Sequence, residues 1–400
     1  MKSFKIMLIT ALSVMTLSCS EKTTTEIPET ELKNISCSTQ LVTHSSAQTR
    51  GAAPTVLNEN DFVLYAFKKN GKGNFSYEKA IHPATAIVGE TWKYNAAFPV
   101  GTYNFIAFYN LDENNRTNLN ETIEKIKDIN WESVLQNIVI THFPSASSQY
   151  QTDMNEIFCG KNKTEIDISS GVGGDDNEIK IELTLARIVS RIDIKFIKVA
   201  SDNPTIEVPY ETGNIFGSTE GNPLTSLIFK PTNIPLKYNL YGENPDYTAD
   251  TPCEVTYNTP TFRYGESSAD AVKSTEYQPF PKDANAINQN METNIKNGIA
   301  NGGAYFMGSY LLPFSPSVSQ TLNANIQLNK ANQERTIKVP SFTVTKNYVS
   351  VITIKLKSST EAENNGEGND DEHLFNPKST FIVEIEKTYD GIHQTDVDVE

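Results

Sequence analysis

Residues 179–199 read IKIELTLARIVSRIDIKFIKV, the longest run of strand-forming residues in the chain. In its first half the apolar residues stand at odd positions, Ile179, Ile181, Leu183 and Leu185. In its second half they stand at even positions, Ile188, Ile192, Ile194 and Phe196. Successive side chains of a strand point to opposite faces, so this change of phase moves the buried set to the other face. Two readings fit: a β-bulge at residues 186–190, or a strand that leaves one core and enters a second. The crossover is preferred, because the chain is long enough for two cores and the phase change falls near its middle.

The same two-residue alternation predicts strands on either side. Residues 61–68 and 74–81 flank the turn Asn70-Gly71-Lys72-Gly73. Residues 91–98 and 101–110 form a second predicted pair, joined at Pro99-Val100-Gly101. Residues 103–109 are apolar on both faces, which predicts a central strand covered on both sides. Short strands follow at 156–160 and 164–168, and the glycines of 169–177 form a turn; no Lys-Ser/Thr pair or helix follows to make them a phosphate loop. Later candidates are 205–210, 227–230, 235–241, 304–313, 320–328, 335–339 and 347–357. The 3.6-residue period is clear in one place, 119–135, where Leu119, Ile123, Ile126 and Val134 make a stripe that Trp131 extends. The pattern as a whole is all-β, or mainly β with a short helix.

Composition adjusts this picture only slightly. Across 400 residues, 38% hydrophobic and 10% aromatic content supports packed cores rather than disorder. With 49 acidic against 34 basic residues the net charge is -15, which opposes a general grip on phosphate backbones; nucleic acid is not an expected partner. Residues 242–303 form a long, polar, Asn-rich excursion. Residues 358–376 are acidic and rich in Gly and Asn, and read as a linker. Beyond them lies a last strand, with Phe381, Val383 and Ile385 facing one way and Glu384 and Glu386 the other. It has two destinations: its own sheet, or the open edge of a sheet in another subunit.

The chain begins with Lys2 and Lys5 and a short apolar segment, the form of a secretory signal at residues 1–18. Its end, Leu17-Ser18-Cys19, resembles a lipobox, with Cys19 the lipidated residue (palmitate) and the lipid an outer-membrane anchor. Residues 20–49 have no sustained apolar period and read as a tether. Cys37, Cys159 and Cys253 are widely spaced and odd in number, so they support neither a disulfide framework nor a CxxC metal site.

Candidate chemistry is sparse. His44, His82, His142, His373 and His393 show no metal-ligand spacing, there is no G-x-S-x-G elbow, and Asp370-Asp371-Glu372 lacks EF-hand spacing. No catalytic residue, cofactor or metal is expected. Trp92 and Trp131 are few for a sugar-stacking surface.

Several pieces, in order along the chain, resemble the fimbrillins, pilus subunits of the Bacteroidia. They are the lipobox Leu17-Ser18-Cys19, the junction Arg50-Gly51, the first strand at 61–67, the mid-chain LTLARIVSRIDI at 183–194, and NYVSVITIKL at 347–356. The resemblance implies two tandem transthyretin-like β-sandwich domains and no enzyme activity. On that reading residues 1–18 are the signal peptide, 19–50 a lipidated tether and propeptide, 51–188 and 189–357 the two sandwiches, and 358–400 an acidic linker with a donor-type strand. It further implies export as a lipoprotein and cleavage after Arg50 by an Arg-specific protease. A strand before Gly51 then departs, and its groove is filled by the Phe381, Val383 and Ile385 strand of a neighbour. The implied partners are other fimbrial subunits, the outer membrane through the lipid, and a host or bacterial surface receptor. The implied place is the cell surface and fimbrium. An alternative is an outer-membrane surface lipoprotein that binds glycan, or that anchors or tips the fimbrium.

Overall fold

The computed structural model describes residues 32–41, 62–82, 91–142, 150–151, 154–169, 180–209, 215–217, 224–243, 246–247, 253–257, 302–315, 319–358, 373–375 and 379–389. The described chain is mainly β, with two short helices. In order, it forms β1 (Leu32–Leu41), β2 (Phe62–Lys69), β3 (Phe75–Ile81), β4 (Thr91–Pro99) and β5 (Gly101–Tyr109). Helices α1 (Glu113–Ile123) and α2 (Trp131–Asn137) follow, then β6 (Val139–Thr141), β7 (Tyr150–Gln151), β8 (Phe158–Lys161), β9 (Ile166–Ile168) and β10 (Lys180–Arg187). The remainder is β11 (Ser190–Val199), β12 (Ser226–Pro231), β13 (Pro235–Asn239), β14 (Asp246–Tyr247), β15 (Cys253–Tyr257), β16 (Ala304–Leu311), β17 (Leu322–Lys330), β18 (Gln333–Phe342), β19 (Tyr348–Lys357) and β20 (Phe381–Tyr389).

The mid-chain run is a crossover, not a bulge. β10 belongs to the largest sheet, of order β3-β2-β5-β8-β10-β1-β4, while β11 lies in a separate sheet of order β16-β11-β19-β20. Ile181, Leu183 and Leu185 are buried in one core, Ile188 and Val189 in a second, and Ile192, Ile194 and Phe196 in a third. The polar residues between them are paired rather than exposed. Arg187 Nε donates to Glu156 Oε1 at 2.7 Å, and Arg191 makes two bonds to the fully buried Asp193, at 3.0 and 3.1 Å. Burying these charges singly is costly, and their pairing is what lets polar residues occupy the crossover.

β5 is covered on both faces, as its sequence predicts. Tyr103, Phe105 and Ala107 face one core, Ile106 and Phe108 another. The predicted pairing of 91–98 with 101–110 is overturned: β4 pairs with β1, and β5 pairs with β2, β8 and β9. The short connection between them joins strands that stand apart in the order of the sheet instead of closing a hairpin. Gly101 makes this possible at φ +153°, where a Cβ would sit 2.7 Å from Lys68 Cε.

The single predicted helix at 119–135 is two. Leu119, Ile123, Ile126 and Val134 do share a core, but the chain turns between the helices, with Asp128 at φ +55°. Asp112 caps α1 by accepting from Asn115 N at 2.8 Å, and Asn130 restarts the chain as the cap of α2, accepting from Ser133 N at 2.8 Å. Trp131 packs on Phe67 and Phe75, with ring centroids 5.7 and 5.2 Å away. Of the predicted strand at 205–210, the described residues 205–209 form a turn and one isolated bridge, Val199 to Glu207, instead of a strand.

Elements from either side of residue 188 also pair with each other: β6 with β13, and β7 with β15. At this seam His142 is 4% exposed, and neither ring nitrogen has a hydrogen-bond partner. Burial holds its pKa down at about 4, partly offset by Asp112. The unfolded chain therefore binds a proton between its ordinary value and about 4 that the folded chain refuses, so stability falls as pH drops through this window. Replacing His142 by Leu is expected to remove about 3 kcal/mol of the acid-side loss, measured as the difference in denaturant-derived stability between pH 7 and pH 4.

The tail is not a plain linker. Leu374 is fully buried and donates its N–H to Ile215 O at 2.9 Å, and Phe375 enters the same core. Gly217, at φ +74°, lies under the His373 ring, where a Cβ would come within 2.5 Å. Lys330 Nζ donates to Phe216 O and Gly217 O at 2.9 Å each and sits 5.6 Å from the Phe375 ring. The acidic composition around 373–375 concealed this anchor. Residues 359–372 and 376–378, and most of the 242–303 excursion, lie outside the described residues.

Candidate functional site

The distinctive element is β1. It lies inside the largest sheet, parallel to β10 on one side and antiparallel to β4 on the other. Its register runs from Ser36–Lys180 to Leu41–Leu185 against β10, and from Leu32–Pro99 to Gln40–Thr91 against β4. Among the described residues β1 is the sole strand partner of β4, and it satisfies the free side of β10 over residues 180–185.

Residues 32–41 therefore do not act as a loose tether. Ile35, Cys37 and Thr39 are 3%, 1% and 0% exposed. They alternate with polar residues, as an inserted strand requires. The tether reading missed this because Cys37 and Thr39 do not count as strongly apolar, although both are small residues suited to a tight slot. Ile35 and Cys37 share a core with Phe98, Phe105, Ile181, Leu183 and Leu185.

The slot is mostly apolar. Burial pushes the Cys37 thiol up to about 12, against a weaker opposing pull from Lys79. A thiol held so far from ionisation is a packing group, not a nucleophile. At the far end Thr39 Oγ1 lies 3.3 Å from Tyr94 OH, and burial raises the pKa of that phenol. Lys79, reaching from β3, donates to Ala97 O of β4, and its ammonium lies 4.3 Å from the Phe98 ring. Lys79 thus joins the two edge strands across the mouth of the sandwich.

The second strand of interest is β20. It is antiparallel to β19, from Tyr348–Tyr389 to Leu356–Phe381, and ends its four-stranded sheet. Phe381, Val383 and Ile385 are partly buried against that core, and the Arg335 guanidinium lies 5.5 Å from the Phe381 ring. Of the two destinations open to it, the structure places β20 on its own sheet, at an edge.

Cys19, Arg50 and Gly51 lie outside the described residues, as does the side chain of Trp92. Arg50 falls in the connection between β1 and β2. Cys37 and Cys159 are buried free thiols. Among the described residues no group of three or more His, Cys, Asp and Glu is placed to hold a metal ion. What the arrangement can do is pair strands.

The described chain is thus mainly β, with one strand inserted from the far side of a long connection and another at a sheet edge. Residues 26–338 match the model of the family described as fimbrillin-A associated anchor proteins Mfa1 and Mfa2, and the chain belongs to that family. The family is of fimbrial and cell-adhesion type, with its place at the cell surface and fimbrium and with other fimbrial subunits as its partners. No curated protein sequence matches the chain. Among solved structures, it is similar to the tip fimbrial protein Mfa3 of Porphyromonas gingivalis with a C-terminal truncation, at 10% identity and TM-score 0.38, covering 90% of this chain and 100% of that one. It is also similar to a fimbrial assembly protein of Parabacteroides distasonis, at 10% identity and TM-score 0.36, covering 90% and 100%.

Proposed function

We propose that this chain is a structural subunit of a bacterial surface fimbrium, built as two tandem transthyretin-like β-sandwiches divided at residue 188. It is exported as a lipoprotein through Cys19, activated by cleavage after Arg50, and assembled by strand exchange in support of adhesion. The observation that carries this reading is the position of β1: it is inserted between β10 and β4 and precedes Arg50 in sequence. Cleavage at Arg50 makes β1 a separate piece, held by hydrogen bonds and by side-chain packing that includes the buried Ile35, Cys37 and Thr39. Its departure leaves two facing ladders of unpaired backbone groups, each costly unless another strand restores them. A terminal strand of another subunit restores both ladders in one step.

β20 is the donor on this reading. As an edge strand it leaves without breaking a sheet interior, and Leu374 and Phe375 keep the chain before it anchored. Family membership supports fimbrial subunits as the partners, and the absence of catalytic spacing in the sequence accords with a structural role.

Arg50→Ala is expected to abolish processing and leave an unpolymerised precursor that retains residues 19–50. N-terminal sequencing together with denaturant-resistant ladders on gels reads both effects. Normal assembly of this variant would make cleavage at Arg50 irrelevant.

A further inference from the structure

The residues that β1 presents to its slot form a size pattern: a β-branched aliphatic at 35, a small thiol at 37 and a small hydroxyl at 39, all within 3% of full burial. The hydroxyl at 39 lies 3.3 Å from Tyr94 OH. The strand β20 carries Phe381, Val383 and Ile385 with the same two-residue spacing. Laid in the direction of β1, it puts Phe, Val and Ile where Ile, Cys and Thr stand. Laid the other way, it puts Ile, Val and Phe there. Both arrangements crowd position 39 with a large apolar side chain and leave the Tyr94 hydroxyl without its partner. Shifting either frame by two residues puts Lys387 at position 35 or 39, or Phe381 at position 37. A one-residue slip puts Glu384 inside. Close-packed interiors resist added volume, and a polar group stripped of its partner costs free energy, so each of these registers is penalised.

Resting on the reading that the β1 slot is vacated during assembly, we infer that the donor fitted to this slot comes from a different subunit species and not from a second copy of this chain. That donor carries a β-branched aliphatic residue, then a small residue, then Ser or Thr, at alternate positions. β20 serves an acceptor with larger pockets. The chain therefore joins unlike neighbours at its two ends, and assembly is heteromeric at this subunit. Tyr94 is the residue that sets the discrimination at the far end of the slot, because its hydroxyl rewards a donor hydroxyl and penalises an alkyl group.

The test uses the full chain with one specific protease site placed within residues 44–50. After nicking, β1 stays in place without a covalent link. Under reducing conditions, labelled peptides of residues 32–41 and residues 379–389 compete for the slot, and occupancy is read at equilibrium. The 32–41 peptide is expected to bind at least about thirtyfold more tightly than the 379–389 peptide. In the Tyr94→Phe chain the difference is expected to narrow severalfold, with the 379–389 peptide gaining. Equal binding of the two peptides in the unaltered chain would overturn the inference while leaving the vacated slot intact. If neither peptide enters a nicked chain that remains folded, the slot is not exchangeable, and the strand-exchange reading falls with the inference. An unchanged difference in Tyr94→Phe would remove Tyr94 as its source.

Discussion

A chain produced from Gly51 onward, with no strand supplied in its place, is expected to lose stability on the order of 5–10 kcal/mol, close to the whole folding free energy of an ordinary domain. The magnitude follows from what β1 holds together. Burying Ile35 is worth roughly 1.5–3 kcal/mol, and Cys37 adds a smaller apolar contribution. Each backbone hydrogen bond contributes about 0.5–1.5 kcal/mol net, and β1 forms ladders on both sides. The loss is local in origin. β4 has no other strand partner among the described residues and is then held by Phe98, its aromatic neighbours and the Lys79 bond to Ala97. Hydrogen exchange is expected to show residues 91–99 and 180–185 losing protection first, while the core around Phe196, Phe306 and Ile354 stays protected. Protection unchanged in β4 would mean that β1 is dispensable to the sheet.

Ending the chain after Phe375 is expected to stop polymer growth while leaving the monomer folded. β20 closes one edge of its sheet and covers the core with three partly buried side chains, so its loss costs about 2–5 kcal/mol and exposes the outer edge of β19. The anchor at Leu374 and Phe375 remains. Calorimetry should therefore show a lowered but still cooperative transition, and gels should show no ladder. Ladders formed by the truncated chain would remove β20 as the donor.

Much of the fold is legible in the sequence where one residue type dominates a face. Ile181, Leu183 and Leu185, followed by Ile192, Ile194 and Phe196, announce the crossover because a strand cannot bury both parities in one layer. Phe105, Ile106 and Phe108 announce a strand covered twice. The misses have physical causes. β1 uses Cys37 and Thr39 as core residues, so its alternation carries little hydrophobic contrast. The β4–β5 pairing fails because Pro99 to Gly101 mimics a hairpin turn, whereas β1 takes the place beside β4 and β5 pairs with β2, β8 and β9. The helical stripe runs unbroken through Ile126, but α1 ends at Ile123, the chain turns through Asp128, and Asn130 caps a new helix, a local choice that periodicity does not register. Leu374 and Phe375 are two apolar residues in an acidic stretch, too few to form a pattern, and their docking depends on Gly217 and Lys330 far away in sequence.

The slot itself was legible only in part. The position of Arg50 points to a strand upstream of it, and the residues of that strand give a weak signal. Which strands flank it, and that β4 depends on it, are set by pairings between residues about sixty and one hundred and forty positions apart. No local propensity encodes these.

The most direct measurement is a photo-cross-linker at Thr184, an exposed position of β10 that faces Gln40 of β1 in register. In the unprocessed precursor it is expected to capture residues of the same chain near position 40. In assembled fimbriae it is expected to capture a strand from another subunit, with residues 19–50 gone from the cross-linked chain. Capture of the chain's own β1 in the finished fibre would contradict the account.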